Sequence, residues 1–170
     1  FVVASLLPLL LILKVPLKVA KKGLPYLIVS GILMACYNFT FLQGLKNGSP
    51  GKGGILVTTL NPVMAYALGM LLSWKRPSRN EMMGLGLGIL AGLVLLQVWA
   101  GGATLLEPGN LYFLLAAFLW SVMSKFTSRS SLYGSPFAFT WWMYMVTLIA
   151  LLPLMDAGEV LKMAHTKDFH

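Results

Sequence analysis

The most constraining feature of the sequence is a series of long apolar segments that contain no charged residue. Several of them are about 20 residues long, the length that an α-helix needs to cross the hydrocarbon core of a bilayer. In that core, only helices and closed barrels can pair every backbone N–H and C=O group. Apolar residues make up 58% of the chain and charged residues 11%, against about 45–50% and 25% in soluble domains. The sequence therefore predicts an all-α, polytopic integral membrane protein.

The apolar segments predict a bundle of about six transmembrane helices, joined by short connections rich in glycine, proline, asparagine and serine. The first segment is too short to span a bilayer, so we interpret the chain as an internal piece of a longer protein. Residues 101–110 form a predicted external linker, and residues 156–170 form a polar tail. The predicted helices cover residues 1–13, 25–45, 54–74, 82–100, 111–128 and 136–155.

Lysine and arginine residues are distributed unevenly between the two ends of these helices. One end carries nine of them and the other carries four, so the positive-inside rule places the first end in the cytoplasm. The net charge of +8 is therefore an orientation signal. A nucleic-acid-binding protein would need a basic face on a soluble domain, and nucleic acid is excluded as a partner. The nine are Lys14, Lys18, Lys21, Lys22, Lys75, Arg76, Arg79, Lys125 and Arg129, and the four are Lys46, Lys52, Lys162 and Lys167.

An Asn-Pro pair lies near the middle of the third predicted helix, in the stretch TTLNPVMAYALG. Pro62 lacks an amide hydrogen and disfavours helical angles at Asn61, which predicts an interrupted helix and a freed carbonyl at Thr58. The side chains of Thr58, Thr59 and Asn61 are predicted to supply some replacement partners. Transporters place substrate sites on interrupted helices at the membrane midplane. The pair is therefore either a hinge that lines a substrate path or a structural kink packed against a neighbouring helix.

Other polar side chains inside the predicted helices are candidates for the same path. Asn38 lies near the midplane and needs either a hydrogen bond to another helix or a place beside the path. Trp120 lies away from the interfacial aromatic belt, which favours packing or path lining. The Tyr66 hydroxyl needs a partner and ranks below Asn61. The predicted substrate-pathway residues are Asn61, Pro62, Asn38, Thr58, Tyr66 and Trp120.

The fourth predicted helix carries a stripe of glycines. Gly84, Gly88 and Gly92 recur every four residues and so lie on one face of the helix. Such stripes allow close approach of helices in lipid. The stripe is predicted to pack inside the protein, with a homodimer as the alternative use. A dinucleotide-binding reading fails because no strand precedes these glycines.

The sequence gives no signal for catalysis. It contains no HExxH motif, and no aspartate or glutamate lies in a predicted helix. The two histidines, His165 and His170, lie in the polar tail. We therefore predict that the protein is not an enzyme and that it has no metal site and no cofactor.

Residues 41–98 carry a family resemblance in the stretch FLQGLKNGSPGKGGILVTTLNPVMAYALGMLLSWKRPSRNEMMGLGLGILAGLVLLQV. A helix ends in FLQGLK and is followed by a small-residue loop, a helix with a central Asn-Pro, a short basic loop with a glutamate, and a glycine-rich helix. This order resembles the drug/metabolite transporter superfamily, EamA type, and GNLYFLLAAFLWSVMSKFTSR resembles the opening helix of that family's second repeat. The family's acidic residue usually directly precedes a basic one. Here the order is KRPSRNE, so no ion-pair role is carried over to Glu81.

The resemblance implies a permease with ten helices in two inverted repeats of five, of which this chain holds helices two to seven. Residues 1–100 would be the end of the first repeat and residues 111–155 the start of the second. The implied function is alternating-access transport, as an exporter, of small metabolites or drug-like compounds across the plasma membrane, the inner membrane in bacteria. The implied partners are a small-molecule substrate and the lipid bilayer. The alternative is a non-transporting membrane protein, an intramembrane enzyme or a complex subunit, whose Asn-Pro kink is only structural.

Overall fold

The computed structural model describes residues 2–48, 50–73, 78–95, 99 and 108–154. These residues form six α-helices and no strand, which confirms the predicted all-α fold class. Short 3₁₀ turns follow or precede three of the helices, at Lys21–Gly23, Ser130–Leu132 and Leu152–Leu154. The helices are α1 (Val2–Ile12), α2 (Leu24–Asn47), α3 (Pro50–Ser73), α4 (Arg79–Leu95), α5 (Pro108–Thr127) and α6 (Pro136–Leu151).

Three helical segments of the described residues are long and apolar enough to cross a membrane, Lys21–Asn47, Gly53–Leu72 and Gly109–Leu132. The helices Val2–Ile12 and Pro136–Leu151 are apolar but shorter. Some predictions concern residues outside the described part of the chain. These are most of the external linker, the end of the fourth predicted helix, the polar tail with His165 and His170, and the basic residues Lys75, Arg76, Lys162 and Lys167.

Helix α5 lies between α2 and α3 and packs against both of them. On its other side, α2 packs against α6, and α6 contacts α1. Helix α4 packs against α3 at the opposite edge of the bundle. The helices therefore follow one another in space in the order α1, α6, α2, α5, α3, α4, so that α3, with the Asn-Pro pair, has a neighbour on each side.

Two buried clusters hold these helices together. The first joins α2, α5 and α6 through Met34, Met123 and Met143. The second joins α3 to α5 through Leu56, Val57 and Phe113. A buried hydrogen bond adds to the first interface, because the Thr147 hydroxyl of α6 donates to a carbonyl of α2, that of Gly31, at 3.0 Å.

Helix α3 begins at Pro50, four residues earlier than the predicted segment 54–74. Proline suits the first turn of a helix because the amide hydrogen it lacks would have no partner there. The glycines that follow, which resemble a loop in the sequence, instead form a helical turn in which Gly53 lies against the Phe113 ring. A Cβ atom at Gly53 would overlap that ring, and one at Gly44 of α2 would lie 2.8 Å from Phe113 Cε1. The missing side chains therefore let α2, α3 and α5 converge.

Contacts between connections show which helix ends lie together. The Ala20 amide donates to the Tyr133 carbonyl at 2.8 Å, so the α1–α2 and α5–α6 connections share one end of the bundle. At the other end, a Cβ atom at Gly109 would lie 2.5 Å from the Cα atom of Gly48, which places the start of α5 beside the end of α2. This alternation is the one that the lysine and arginine pattern requires.

Candidate substrate pathway

The Asn-Pro pair does not interrupt its helix. Helix α3 runs from Pro50 to Ser73 through both Asn61 and Pro62, so the predicted departure of Asn61 from helical geometry is wrong. Proline removes a single hydrogen bond, the one that its own nitrogen would donate. The turns on either side keep their bonds, and packing against α5 and α4 holds them in register.

Thr58 does not supply the replacement partner predicted for it. Its hydroxyl donates one turn back, to the carbonyl of Gly54 at 2.8 Å, with a second contact to the carbonyl of Ile55 at 3.1 Å. The side chain is exposed on the surface of the described bundle. Hydroxyl groups in helices commonly donate to a carbonyl three or four residues back. Thr58 forms this local bond, which requires no neighbouring helix.

Asn61 faces the boundary between α3 and α5. Its backbone carbonyl accepts a long hydrogen bond of 3.4 Å from Ser121 Oγ. The same hydroxyl donates at 2.8 Å to the carbonyl of Ala117 within α5. The side-chain oxygen of Asn61, Oδ1, is buried and has no hydrogen-bond partner among the residues that the structure describes. Buried polar groups are nearly always paired, so this oxygen is a marked exception.

Asn38 differs from Asn61 in that its side chain forms a hydrogen bond within its own helix. Its amide nitrogen donates to the Met34 carbonyl at 2.9 Å, one turn back in the same helix. This bond lies within α2, whereas one of the two alternatives for Asn38 was a hydrogen bond to another helix. The residue is half-buried, so it retains access to the surface of α2.

Trp120 lies in a group of half-buried aromatic residues formed by three helices. Its ring centroid is 5.0 Å from that of Tyr37 on α2, with the two planes inclined at 56°. Tyr144 of α6 packs against the same methionine cluster. Tyr144 is not among the residues predicted from the sequence, although its hydroxyl in the middle of the apolar segment 136–155 was an available signal. The pairing of Tyr37 with Trp120 joins residues far apart in the chain, and spacing could not reveal it.

Pro62 and Tyr66 face the other neighbour of α3. They line an apolar groove of about 560 Å³ between α3 and α4. The Tyr66 hydroxyl donates to the carboxylate of Glu81 at the start of α4. The predicted pathway residues thus do not form one cluster, because Asn61 faces α5 while Pro62 and Tyr66 face α4.

Glu81 has a structural role that its sequence position signals. The amide of Ser78 donates to Glu81 Oε2 at 2.7 Å, and the amide of Glu81 donates to Ser78 Oγ at 3.3 Å. This reciprocal pair is a capping box, which the spacing S-x-x-E before a helix predicts. The hydrogen bond from the Ser78 amide, followed by those from the Ser78 hydroxyl and Tyr66, holds the pKa of Glu81 below its usual value.

The glycine stripe of α4 is turned toward α3 over part of its length. A Cβ atom at Gly92 would lie 2.9 Å from Thr59 Cγ2, and one at Gly88 would lie 3.4 Å from Val63 Cγ2. Gly84 borders the groove, where a Cβ atom would meet no atom within 4 Å. The two helices are therefore closest at Gly92 and separate toward Gly84.

The comparison with known proteins decides the family. The EamA-like transporter family matches residues 1–97, which is more than half of the chain and includes helices α1 to α4. The chain belongs to the EamA-like transporter family. The resemblance found in the sequence is thereby confirmed, and the protein is a member of a family of integral membrane transporters.

A curated relative adds a more specific likeness. The chain is 26% identical over 143 residues to a protein of Salmonella typhimurium (strain LT2) named "Probable amino-acid metabolite efflux pump". The aligned region covers 84% of this chain and 48% of the relative, so the chain spans about half the length of that relative. No solved structure matches the chain.

Proposed function

We propose that the full-length protein is a secondary transporter that exports small metabolites by alternating access across the plasma membrane, the inner membrane of a bacterium. Membership of the EamA-like transporter family supports transport as the activity. The name of the Salmonella relative supports export of a metabolite. The observation that carries the assignment of a pathway is the buried oxygen of Asn61, which has no partner among the described residues and lies beside Pro62 in the middle of a helix long enough to cross a membrane.

The Asn-Pro pair would act as the hinge of α3. Pro62 leaves the Thr58 carbonyl without the amide N–H that would normally donate to it in a helix, so bending at this point breaks no hydrogen bond. Helix α3 lies between α4 and α5, and a bend would shift its two halves against both neighbours. Alternating access requires such an element with two arrangements.

The remaining predicted residues are proposed to line the path at different depths. Thr58 is exposed one turn before Asn61, and Asn38 is half-buried on α2. Trp120 and its neighbour Tyr37 would offer aromatic faces to a solute. Tyr66 would act from the α4 side of the hinge, through its hydrogen bond to Glu81.

The deciding experiment measures solute export per inserted molecule of the full-length protein in proteoliposomes. Asn61→Ala should reduce transport about tenfold, the equivalent of about 1.4 kcal/mol of lost transition-state stabilisation, with normal insertion. Pro62→Ala restores the amide hydrogen, so it should give a more stable helix. The protein should then exchange slowly between its inward-open and outward-open states.

Gly51→Ala is the matched control, because a Cβ atom at Gly51 would meet no atom within 4 Å. Wild-type transport rates in both variants of the Asn-Pro pair would remove this site from the pathway. Failure of the unaltered full-length protein to move any solute would favour the non-transporting alternative.

A further inference from the structure

We propose that Tyr66 and Glu81 join the second half of α3, residues 63–73, to the first turns of α4, residues 79–85, so that these two segments move as one unit when α3 bends at Pro62. Tyr66 and Glu81 are then positioning residues for transport. The proposal rests on the proposed function, because it uses the hinge at Pro62, and it adds which segments that hinge carries.

The two halves of α3 are packed to different degrees. Before the Asn-Pro pair, Gly53, Leu56 and Val57 are buried. Leu56 and Val57 form a cluster with Phe113 of α5. After the pair, each residue of α3 whose burial the structure describes is half-buried or exposed. Segments with few buried contacts move at the lowest cost in free energy, so the hinge separates an anchored half of α3 from a half that can shift.

The first turns of α4 are also held loosely. Residues 79–84 are all exposed, and α4 packs against α3 at the edge of the bundle. The two helices are closest at Gly92, where a Cβ atom would lie 2.9 Å from Thr59 Cγ2, and Thr59 precedes the hinge. Toward Gly84 they separate, and an apolar groove of about 560 Å³ lies between them. Packing therefore holds the last turns of α4 to the anchored half of α3 more closely than it holds the first turns.

A hydrogen bond spans the open part of this groove. The Tyr66 hydroxyl donates to the Glu81 carboxylate, and both residues line the groove. Hydrogen bonds to ionised groups are stronger than those between neutral groups. The capping box with Ser78 holds the carboxylate at the first turn of α4, so the bond ends on a group of fixed position.

The chain itself provides a second tie between the two segments. Helix α3 ends at Ser73 and α4 begins at Arg79, so residues 74–78 are all that separates them in the chain. A bend at Pro62 then carries the first turns of α4 with it, because a change in spacing would break the hydrogen bond. The contact between Gly92 and Thr59 is the pivot for α4, since a glycine has no side chain to obstruct the rotation.

The test measures distances between pairs of spin labels by electron paramagnetic resonance, on the full-length protein in lipid nanodiscs. The labels are attached at Leu72→Cys, Met83→Cys and Leu132→Cys, three exposed positions, after the exposed Cys36 is replaced by serine. The pair at positions 72 and 83 lies within the unit and should give a narrow distance distribution. The pair at positions 72 and 132 joins the unit to the α5–α6 connection and should give a broader one, because the unit moves against the rest of the bundle.

Substitutions in the pair separate the link from the capping box. Tyr66→Phe removes the hydroxyl and keeps the ring, so the distribution for positions 72 and 83 should broaden toward that for positions 72 and 132. Glu81→Leu should do the same. Glu81→Gln should keep the narrow distribution, because glutamine retains an acceptor for Tyr66 and also serves in a capping box.

Ser78→Ala is the matched control, because it removes a hydroxyl of the capping box and leaves both Tyr66 and the Glu81 carboxylate in place. It should keep the narrow distribution. Equal broadening in Ser78→Ala and Tyr66→Phe would show that the capping box, and not the bond between the helices, holds the segments. An unchanged narrow distribution in Tyr66→Phe would overturn the proposal, and so would equally narrow distributions for both pairs of labels in the wild type.

This proposal and the proposed function fail differently. Export by the wild type, together with distances that Tyr66→Phe does not change, contradicts the link alone. A wild type that exports no solute in proteoliposomes contradicts the proposed function, whatever the distances between the labels.

Discussion

At the scale of single residues, the bundle depends on a large ring placed between two residues without side chains. Phe113 of α5 is fully buried and fills the space left by Gly44 of α2 and Gly53 of α3. Helices in a bilayer gain little from the hydrophobic effect when they associate, since lipid tails are as apolar as their side chains. Close packing of this kind must therefore supply the attraction.

Gly53→Ala tests this packing. The added methyl group would overlap the Phe113 ring, and overpacking of this kind should lower the free energy of unfolding by about 1–3 kcal/mol. Gly51→Ala in the same helical turn is the control, because it has open space and should be neutral. Thermal denaturation in detergent measures both. The double variant Gly53→Ala, Phe113→Leu should recover part of the loss, and equal stability of the two single variants would show that the ring does not fill this space.

At the scale of helices, α3 is built with two different contact faces. Leu56 and Val57 are buried in the cluster with Phe113, whereas Thr59 and Val63 meet the glycines of α4. The face toward α5 is closed by large side chains. The face toward α4 depends on the small size of Gly88 and Gly92, and it opens into the groove near Gly84.

Leucine substitutions along α4 should therefore have unequal effects. Gly92→Leu should damage folding most, Gly88→Leu should damage it next, and Gly86→Leu should be tolerated, because a Cβ atom at Gly86 would meet no atom within 4 Å. The amount of monodisperse protein recovered from membranes ranks the three variants. Equal recovery would mean that α4 does not pack on α3 through this stripe. Low recovery of the Gly86→Leu variant alone would place the contact on another face of α4.

At the scale of the whole molecule, the connections alternate between two ends of the bundle. The α1–α2 connection pairs with the α5–α6 connection through Val19 and Gly134, while Gly48 meets Gly109 at the opposite end. The positive-inside rule assigns the first of these ends to the cytoplasm, because Lys18, Lys21 and Arg129 are among the residues there.

Cysteine labelling tests this orientation. Single cysteines at Lys21, Asn47 and Arg129 would be placed in a Cys36→Ser background, which is needed because Cys36 is exposed. A membrane-impermeant reagent added outside intact cells should label position 47, and should label positions 21 and 129 only after permeabilisation. Labelling of positions 21 and 47 from the same side would contradict both the predicted helices and the contacts between the connections.

The bilayer explains why the fold class could be predicted. Long uncharged segments leave the chain almost no choice except helix, since each backbone group must pair within its own segment. The proline at position 50 and the glycines after it were harder to interpret. They resemble a loop by composition, but they form a helical turn in which Gly53 packs against the Phe113 ring of a distant helix.

The candidate site was predicted only in part, because its hydrogen bonds also depend on residues far apart in the chain. Asn61 stood out because an Asn-Pro pair is unusual in the middle of an apolar segment. The sequence could not show that Asn38 and Thr58 bond within their own helices, nor that the Asn61 oxygen has no partner in the part of the chain that the structure describes. Each of these outcomes depends on which side chains of other helices lie within reach.

The sequence by itself determined that the chain is a helical membrane protein, where its helices lie, which ends of those helices carry the positive charge, and which family it resembles. These features follow from local hydropathy, charge and residue order. Only the tertiary structure decided that α5 lies between α2 and α3, that α3 remains helical through Pro62, and that Asn61 faces Ser121. Helix contacts in lipid are set by the shapes of side chains far apart in the chain, and hydropathy carries no information about those shapes.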